Sequence, residues 1–194
     1  MKKKGVFGVV VAIVLLIVVV AAYFGVFYRV RVVEKHIGAV AVVYTKHIGE
    51  YSKVGPPMDS IYRQLKDREH VTTTRGFGLY YDNPQEVTKE KLRSVVGCVL
   101  DDADTGALAL LAENGYQTAV IPASNSVYAE FPMKGMPSII IGIFKVYPRI
   151  MRYQKENHIP QKPIMELYDT PGRKIGYIMH TDIGGEFYES LLRQ

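Results

Sequence analysis

The side chains with chemistry to offer are fourteen tyrosines, a handful of isolated glutamates, five histidines and one cysteine. The histidines (His36, His47, His70, His158 and His180) are scattered, with no two at ligand spacing and none beside the cysteine, so no metal or haem motif is present and no cofactor is expected. Asp101, Asp102 and Asp104 crowd together but lack the spacing of a calcium loop and read as a solvated turn. Cys98 sits in the apolar run Ser94 to Leu100, which reads as a buried strand and makes it a packing residue. There is no glycine-rich phosphate loop and no convincing serine–histidine–aspartate order. That leaves carboxylates and phenols. Glu166 alternates with Met165 and Leu167 in a β-rich run, Glu130 stands in a second such run, and Glu50 follows a third. A carboxylate turned inward from a strand attracts flat cations, or acts as a general acid or base when burial raises its pKa. Tyr44, Tyr51, Tyr81, Tyr128 and Tyr168 fall at or near strands, and flat aromatic walls with a few polar groups suit a small-molecule cleft. The plainer alternative for each is a solvated strand glutamate or a half-buried strand tyrosine.

The elements that must position these groups follow from periodicity. Ala39 to His47 is β-rich, and Gly49 and then Gly55-Pro56-Pro57 break the run. Met58, Ile61, Tyr62 and Leu65 recur at helical spacing and predict one apolar helix face. Gly76 to Asp82 and Leu92 to Leu100 read as strands, so the first half is β-α-β-β. A short helix capped by Asp104 or Thr105 and a strand from Tyr116 to Ile121 link it to the second half. There, Ser126 to Phe131 alternates, and Ile139, Ile143, Val146, Ile150 and Tyr153 fit a helix that Pro148 should kink or restart, although Ile139-Ile140-Ile141 alone could be a strand. Pro163 to Tyr168 and Lys174 to His180 are strands joined at Asp169-Thr170-Pro171-Gly172, a hairpin turn. The pattern repeats, at about 37–100 and 124–183, and Tyr81-Asp82-Asn83-Pro84 echoes Tyr168-Asp169-Thr170-Pro171 at what reads as the same strand end.

The N-terminus sets the location. Val6 to Tyr28 is almost unbroken apolar sequence behind Lys2-Lys3-Lys4, and a bilayer takes ~20 such residues as a helix. A signal peptide is the rival reading, but its apolar region usually runs ~7–15 residues. Here the run continues past Ala21 and Ala22 through Tyr28. Residues 1–29 therefore read as an uncleaved single-pass anchor, and 30–194 as one domain. Arg29, Arg31 and Lys35 balance the three lysines, so charge does not decide which side the domain occupies. The net charge of +5 comes mostly from Lys2, Lys3, Lys4 and Arg29, so the domain is near neutral and no nucleic-acid footprint is expected.

Gly49-Glu50-Tyr51, a helix, the Tyr-Asp-x-Pro strand end, Ile121-Pro122-Ala123 before Val127-Tyr128-Ala129, and Glu166-Leu167-Tyr168 together resemble the GyrI-like small-molecule-binding family. The resemblance covers about residues 37–183. It implies an α+β fold of two β-α-β-β repeats with pseudo-twofold symmetry, whose shared sheet cups a ligand cleft. Tyr80-Tyr81-Asp82-Asn83-Pro84, Val96-Gly97, Phe131-Pro132 and the run from Val146 to Tyr153 are similar to a membrane-anchored, ER-phagy-receptor type within that family. The acidic, serine-rich tail that carries adaptor binding in that type does not follow Gln194, so that role is not expected to transfer. The resemblance makes Glu166 the ligand-facing acid, with Tyr44, Tyr128, Glu130 and Tyr51 as its companions. Glu166 is expected to point into the groove between the halves near Tyr44 or Tyr128, with Met165 and Leu167 facing the helices as core. The resulting expectation is a membrane-anchored module that binds a small amphipathic or cationic ligand or a protein partner without catalysis. A hydrolase that opens strained electrophiles through a cleft glutamate, and a pure interaction adaptor with a vestigial cleft, are the alternatives.

Overall fold

In a computed structural model, residues 2–100 and 105–193 are described. The aspartate cluster and the Asp104 cap fall outside them.

Helix α1 (Lys2–Tyr23) is apolar on every side, and none of its Val6–Tyr23 window is buried, so it is not a core helix of the domain. The chain then turns through Gly25, whose φ of 90° suits glycine and whose bare Cα packs against the Phe131 ring. The domain follows as β1 (Val33–Ile37), β2 (Val40–Ile48), a 3₁₀ turn (Tyr51–Lys53), α2 (Gly55–Arg68), β3 (Arg75–Tyr80), β4 (Arg93–Val99), α3 (Thr105–Glu113) and β5 (Gln117–Ile121). It continues as β6 (Ser124–Pro132), α4 (Met136–Glu156), β7 (Ile164–Asp169), β8 (Lys174–His180) and α5 (Gly185–Arg193).

The strands form one antiparallel sheet in the order β1-β6-β8-β7-β3-β4-β2-β5. Its centre is the β3–β7 pair, in which Gly78 faces Glu166. Around that seam β2-α2-β3-β4 and β6-α4-β7-β8 stand in equivalent order, as the repeat pattern predicts. Each repeat also carries an edge strand that pairs with the other repeat's lead strand: β1 joins β6 and β5 joins β2. This exchange ties the halves together at both edges as well as at the seam.

Pleating divides the core in two. On one face α2 lays Ile61 and Leu65 over Ala41, Val43 and Cys98, and α4 lays Val146 and Ile150 over Val127, Phe131 and Ile175. The other face carries Tyr44, Phe77, Leu79, Met165 and Ile178, and Tyr188 and Leu191 of α5 pack onto it. Helix α5 lies past the last expected strand. Its signal was Phe187, Tyr188, Leu191 and Leu192, an apolar stripe at helical spacing in a nine-residue helix.

Two expectations are corrected. Pro148 does not start a second helix: one helix runs from Met136 to Glu156 with the proline inside it. Pro148 lies on the exposed side, so the carbonyl its missing N–H leaves free, one turn back at the exposed Phe144, is open to water. The Tyr-Asp-x-Pro echo is not an equivalence. The Tyr81 hydroxyl donates to the Tyr188 carbonyl on the α5 face, whereas Tyr168 lies on the α4 face. Asp82 accepts from Arg93 through both its backbone and its guanidinium, whereas Asp169 caps the turn at Gly172.

Close packing between β2 and β4 generates a stability prediction. A Cβ at Gly97 would lie 2.0 Å from the Val43 carbonyl oxygen, a backbone atom that cannot swing aside. Gly97→Ala should destabilise the fold by ~3 kcal/mol or more. Gly38→Ala, where nothing lies within 4 Å, should stay within ~0.5 kcal/mol of the parent. Denaturant midpoints of the two variants check the contrast.

Candidate functional site

The register carries each glutamate and tyrosine to a definite face. Rows of cross-strand partners place Val96, Gly78, Glu166, Tyr177 and Ala129 side by side on the face that α2 and α4 cover, and Val95, Leu79, Met165, Ile178 and Tyr128 on the opposite side. Glu166 therefore faces the helices, and Met165 and Leu167 face α5, which inverts the expected orientation. The reason is a one-residue parity that the alternation of Met165, Glu166 and Leu167 leaves open: both readings fit the same pattern, and tertiary packing chooses.

The five singled-out residues are thus divided. Tyr44 is buried in the α5-side cluster, and Tyr128 and Glu130 lie on that same side near the β1 edge. The Tyr128 hydroxyl donates to Glu130 at 2.9 Å, and Lys174 reaches the same oxygen at 3.1 Å. That lysine, with the phenol, holds the Glu130 carboxyl below its usual range. Tyr51 is a structural clasp, its hydroxyl donating to the Asp82 and Arg93 carbonyls and accepting from the Asp82 amide. Burial pushes that phenol up to about 12. Its ring stands edge-on to Tyr80, with centroids 4.8 Å apart, and so touches the group around Glu166.

That group forms the best-built polar site among the described residues. Glu166 is 2% exposed. Tyr147 of α4 donates to one carboxylate oxygen at 2.8 Å and Tyr168 to the other at 2.6 Å. Tyr80 stands behind Tyr168, hydroxyl to hydroxyl at 3.3 Å. The Tyr177 ring meets the Tyr147 ring edge-on at 5.8 Å, and its buried hydroxyl has no partner among the described residues. Among the described residues no lysine or arginine answers the carboxylate; burial raises its pKa, and the two phenol bonds only partly offset this. Tyr147 and Tyr168 are in turn driven well above the ordinary phenol value, first by burial and then by the adjacent carboxylate.

Small residues make room for this cage. A Cβ at Gly78 would strike the Tyr80 hydroxyl at 2.7 Å, and one at Gly142 the Tyr177 hydroxyl at 2.6 Å. Met58 of α2 reaches the same floor, beside Gly76 and Tyr168. Along α4, Met136, Ile140, Ile143 and Met151 recur with Tyr147 at spacings of three and four, and are solvent-exposed, as is the neighbouring Phe144 at 76%. The carboxylate therefore lies under the flank of α4 that carries this exposed apolar stripe. Sequence reasoning singled out Glu166 and Tyr168 and missed Tyr80, Tyr147 and Tyr177 as their partners. Only the i, i+4 placing of Tyr147 in the apolar stripe hinted at it.

The profile of the GyrI-like small molecule binding domain matches residues 31–179. The chain belongs to the GyrI-like family. Among curated proteins, testis-expressed protein 264 homolog of Mus musculus is 29% identical over 154 residues, and testis-expressed protein 264 of Homo sapiens 28% over 155. The matched segments cover 77% of this chain and 47% of each relative, so the chain spans about half the length of the curated relatives it matches. Among solved structures, the GyrI-like fold is shared with EcmrR bound to DNA, at a TM-score of 0.52 and 17% identity over 78% of this chain and 57% of that one. It is shared also with the EcmrR C-terminal domain, at 0.50 and 18% over 78% and 96%. At such identities the likeness speaks for the GyrI-like fold alone.

The raised Glu166 pKa predicts a pH dependence. The folded state holds the proton more tightly than the unfolded chain, so the resulting stabilisation is complete below the ordinary value of 4.5 and is lost as pH rises through the folded value. Glu166→Gln removes this term. It keeps His180, which burial depresses to about 4 and which acts in the opposite sense between there and 6.5. The melting temperature of the variant should therefore gain on the parent as pH rises from 4.5. A gap that stays constant across pH contradicts the buried, raised carboxyl.

Proposed function

We propose that this chain is a membrane-anchored, non-catalytic binding module for a small amphipathic cation, with the Glu166 carboxylate as the charge determinant. The observation that carries the reading is a carboxylate enclosed by tyrosines and, among the described residues, with no cation of its own. Burying an anion is unfavourable unless a counter-charge or strong hydrogen bonds meet it. Two phenol donors meet it in part, and a ligand cation would complete the compensation while the phenol rings face its π-attractive side. The exposed stripe from Met136 to Met151 supplies an apolar wall on the same flank of α4. Membership of a small-molecule-binding family supports the same reading. The anchor rests on α1, whose Val6–Tyr23 window is long and apolar enough to cross a bilayer and has no buried residue. In this account Tyr44, Tyr128, Glu130 and Tyr51 serve the ligand indirectly: Tyr51 through its contact with Tyr80, the other three by shaping the opposite side of the same sheet.

The adaptor reading draws support from α5, whose Tyr188 and Leu191 fill the sheet face where a cleft was expected, and it predicts no response to small cations. A melting-temperature screen of the full chain in neutral detergent, against lipophilic cations such as tetraphenylphosphonium, separates the two. A native-state ligand must raise the apparent stability. Glu166→Gln should weaken binding by about 1.5–3 kcal/mol, roughly 10- to 150-fold. If no cation shifts the parent, or the variant responds equally, Glu166 is not the determinant.

A further inference from the structure

A second site lies at the opposite edge of the sheet, where the chain leaves α1. Tyr28, Arg29, Arg31, Lys35, Tyr128 and Glu130 line a groove between the segment leading into β1 and the outer rows of β1 and β6. Arg29, Arg31 and Lys35 are exposed, and among the described residues none of them forms a salt bridge. The acid present, Glu130, is hydrogen-bonded to Lys174 and to the Tyr128 hydroxyl, and Lys35 adds only a longer-range attraction to it. Lys35 instead lies over the Tyr128 ring, 4.9 Å from its centroid. The groove thus presents three cations beside two phenol rings, none in a salt bridge among the described residues, with its carboxylate already paired to Lys174.

Its placement decides what it meets. Arg29 comes six residues after Tyr23, and the turn between them is fixed to the domain. Gly25 packs on Phe131, Tyr28 meets the same ring edge-on with centroids 5.3 Å apart, and Lys145 donates to the Val26 carbonyl. Lys134 stands over the Tyr23 ring at 4.6 Å. The groove is therefore held at the end of the apolar helix, not on a free tether. If that helix spans a bilayer, the groove opens at headgroup level, where juxtamembrane Lys and Arg meet anionic lipids.

We infer that this groove is a binding site for the headgroup of an anionic phospholipid, with Arg29, Arg31 and Lys35 on the phosphate and its added negative group, and Tyr28 and Tyr128 flanking it. Arginine suits the role because its planar fork meets phosphate oxygens in pairs. The inference rests on the anchored reading above but is independent of Glu166, which lies on the other face of the sheet.

The full chain in neutral-detergent micelles, titrated with short-chain phosphatidylserine, short-chain phosphatidylcholine or inorganic phosphate and followed by melting temperature, tests it. Phosphatidylserine should raise the melting temperature, and the other two should not. Arg29→Gln with Arg31→Gln should weaken phosphatidylserine about 30-fold, the ~2 kcal/mol expected of two juxtamembrane charges. Arg63→Gln with Lys66→Gln on α2, which removes the same charge away from the groove, should leave it unchanged. Equal shifts with phosphatidylcholine, an equal shift with phosphate, or equal losses in the two double variants would each overturn the site. Carbonate extraction of membranes separates this failure from that of the anchor. A chain that resists extraction yet shows no anionic preference loses this inference alone. One that is stripped while keeping the preference loses only the anchored reading.

Discussion

A carboxylate sits at the middle of the sheet with no cation beside it among the described residues, and much of the local sequence answers to that. Glu166 occupies the β3–β7 seam where the two repeats meet, so its environment is drawn from both. Tyr80 comes from the first repeat, and Tyr147, Tyr168 and Tyr177 from the second. The phenols can converge because Gly78 and Gly142 leave the space that any larger residue would fill. Phenol donors soften the penalty of the buried charge without removing it, and the raised pKa expresses the remainder. An arginine in the same place would have made a closed ion pair of the kind seen at Asp82 and Arg93, where burial is the largest single effect but the guanidinium bonds, the Arg93 backbone N–H and the arginine charge together hold the carboxyl low.

The sequence disclosed the repeat, because period-2 and period-3.6 patterns are read locally and both halves carry them. It disclosed less about what lies between the halves. The exchange of β1 and β5 is a long-range pairing with no local signature, so the first edge strand could be read as an extension of the anchor. The side on which Glu166 lies turns on parity: Met165, Glu166 and Leu167 alternate equally well whichever face is core, and only the neighbouring rows decide. Picking Glu166 as the chemically interesting residue was within reach of sequence. Naming Tyr44 and Tyr128 as its neighbours was not, because they sit across the sheet from it. The Tyr-Asp-x-Pro echo misled for the same reason, its two tyrosines pointing to opposite faces.

The two faces divide the work. The α5 face is closed by apolar packing and stabilises the sheet. The α2–α4 face holds the polar cage and an exposed apolar stripe beside it. The β1 edge, firmly attached to the end of α1, gathers the free positive charge. In the account offered here, a cation is met beneath α4 while the domain is held at the surface by the basic edge.

The most direct test of the central claim is to titrate the Glu166 carboxyl itself, by its side-chain carbon-13 resonance, with and without a saturating lipophilic cation. The account predicts a midpoint above the ordinary 4.5 in the free protein, which falls when the cation binds because the counter-charge favours the ionised form. A midpoint at the ordinary value, or one that the bound cation leaves unmoved, would contradict it.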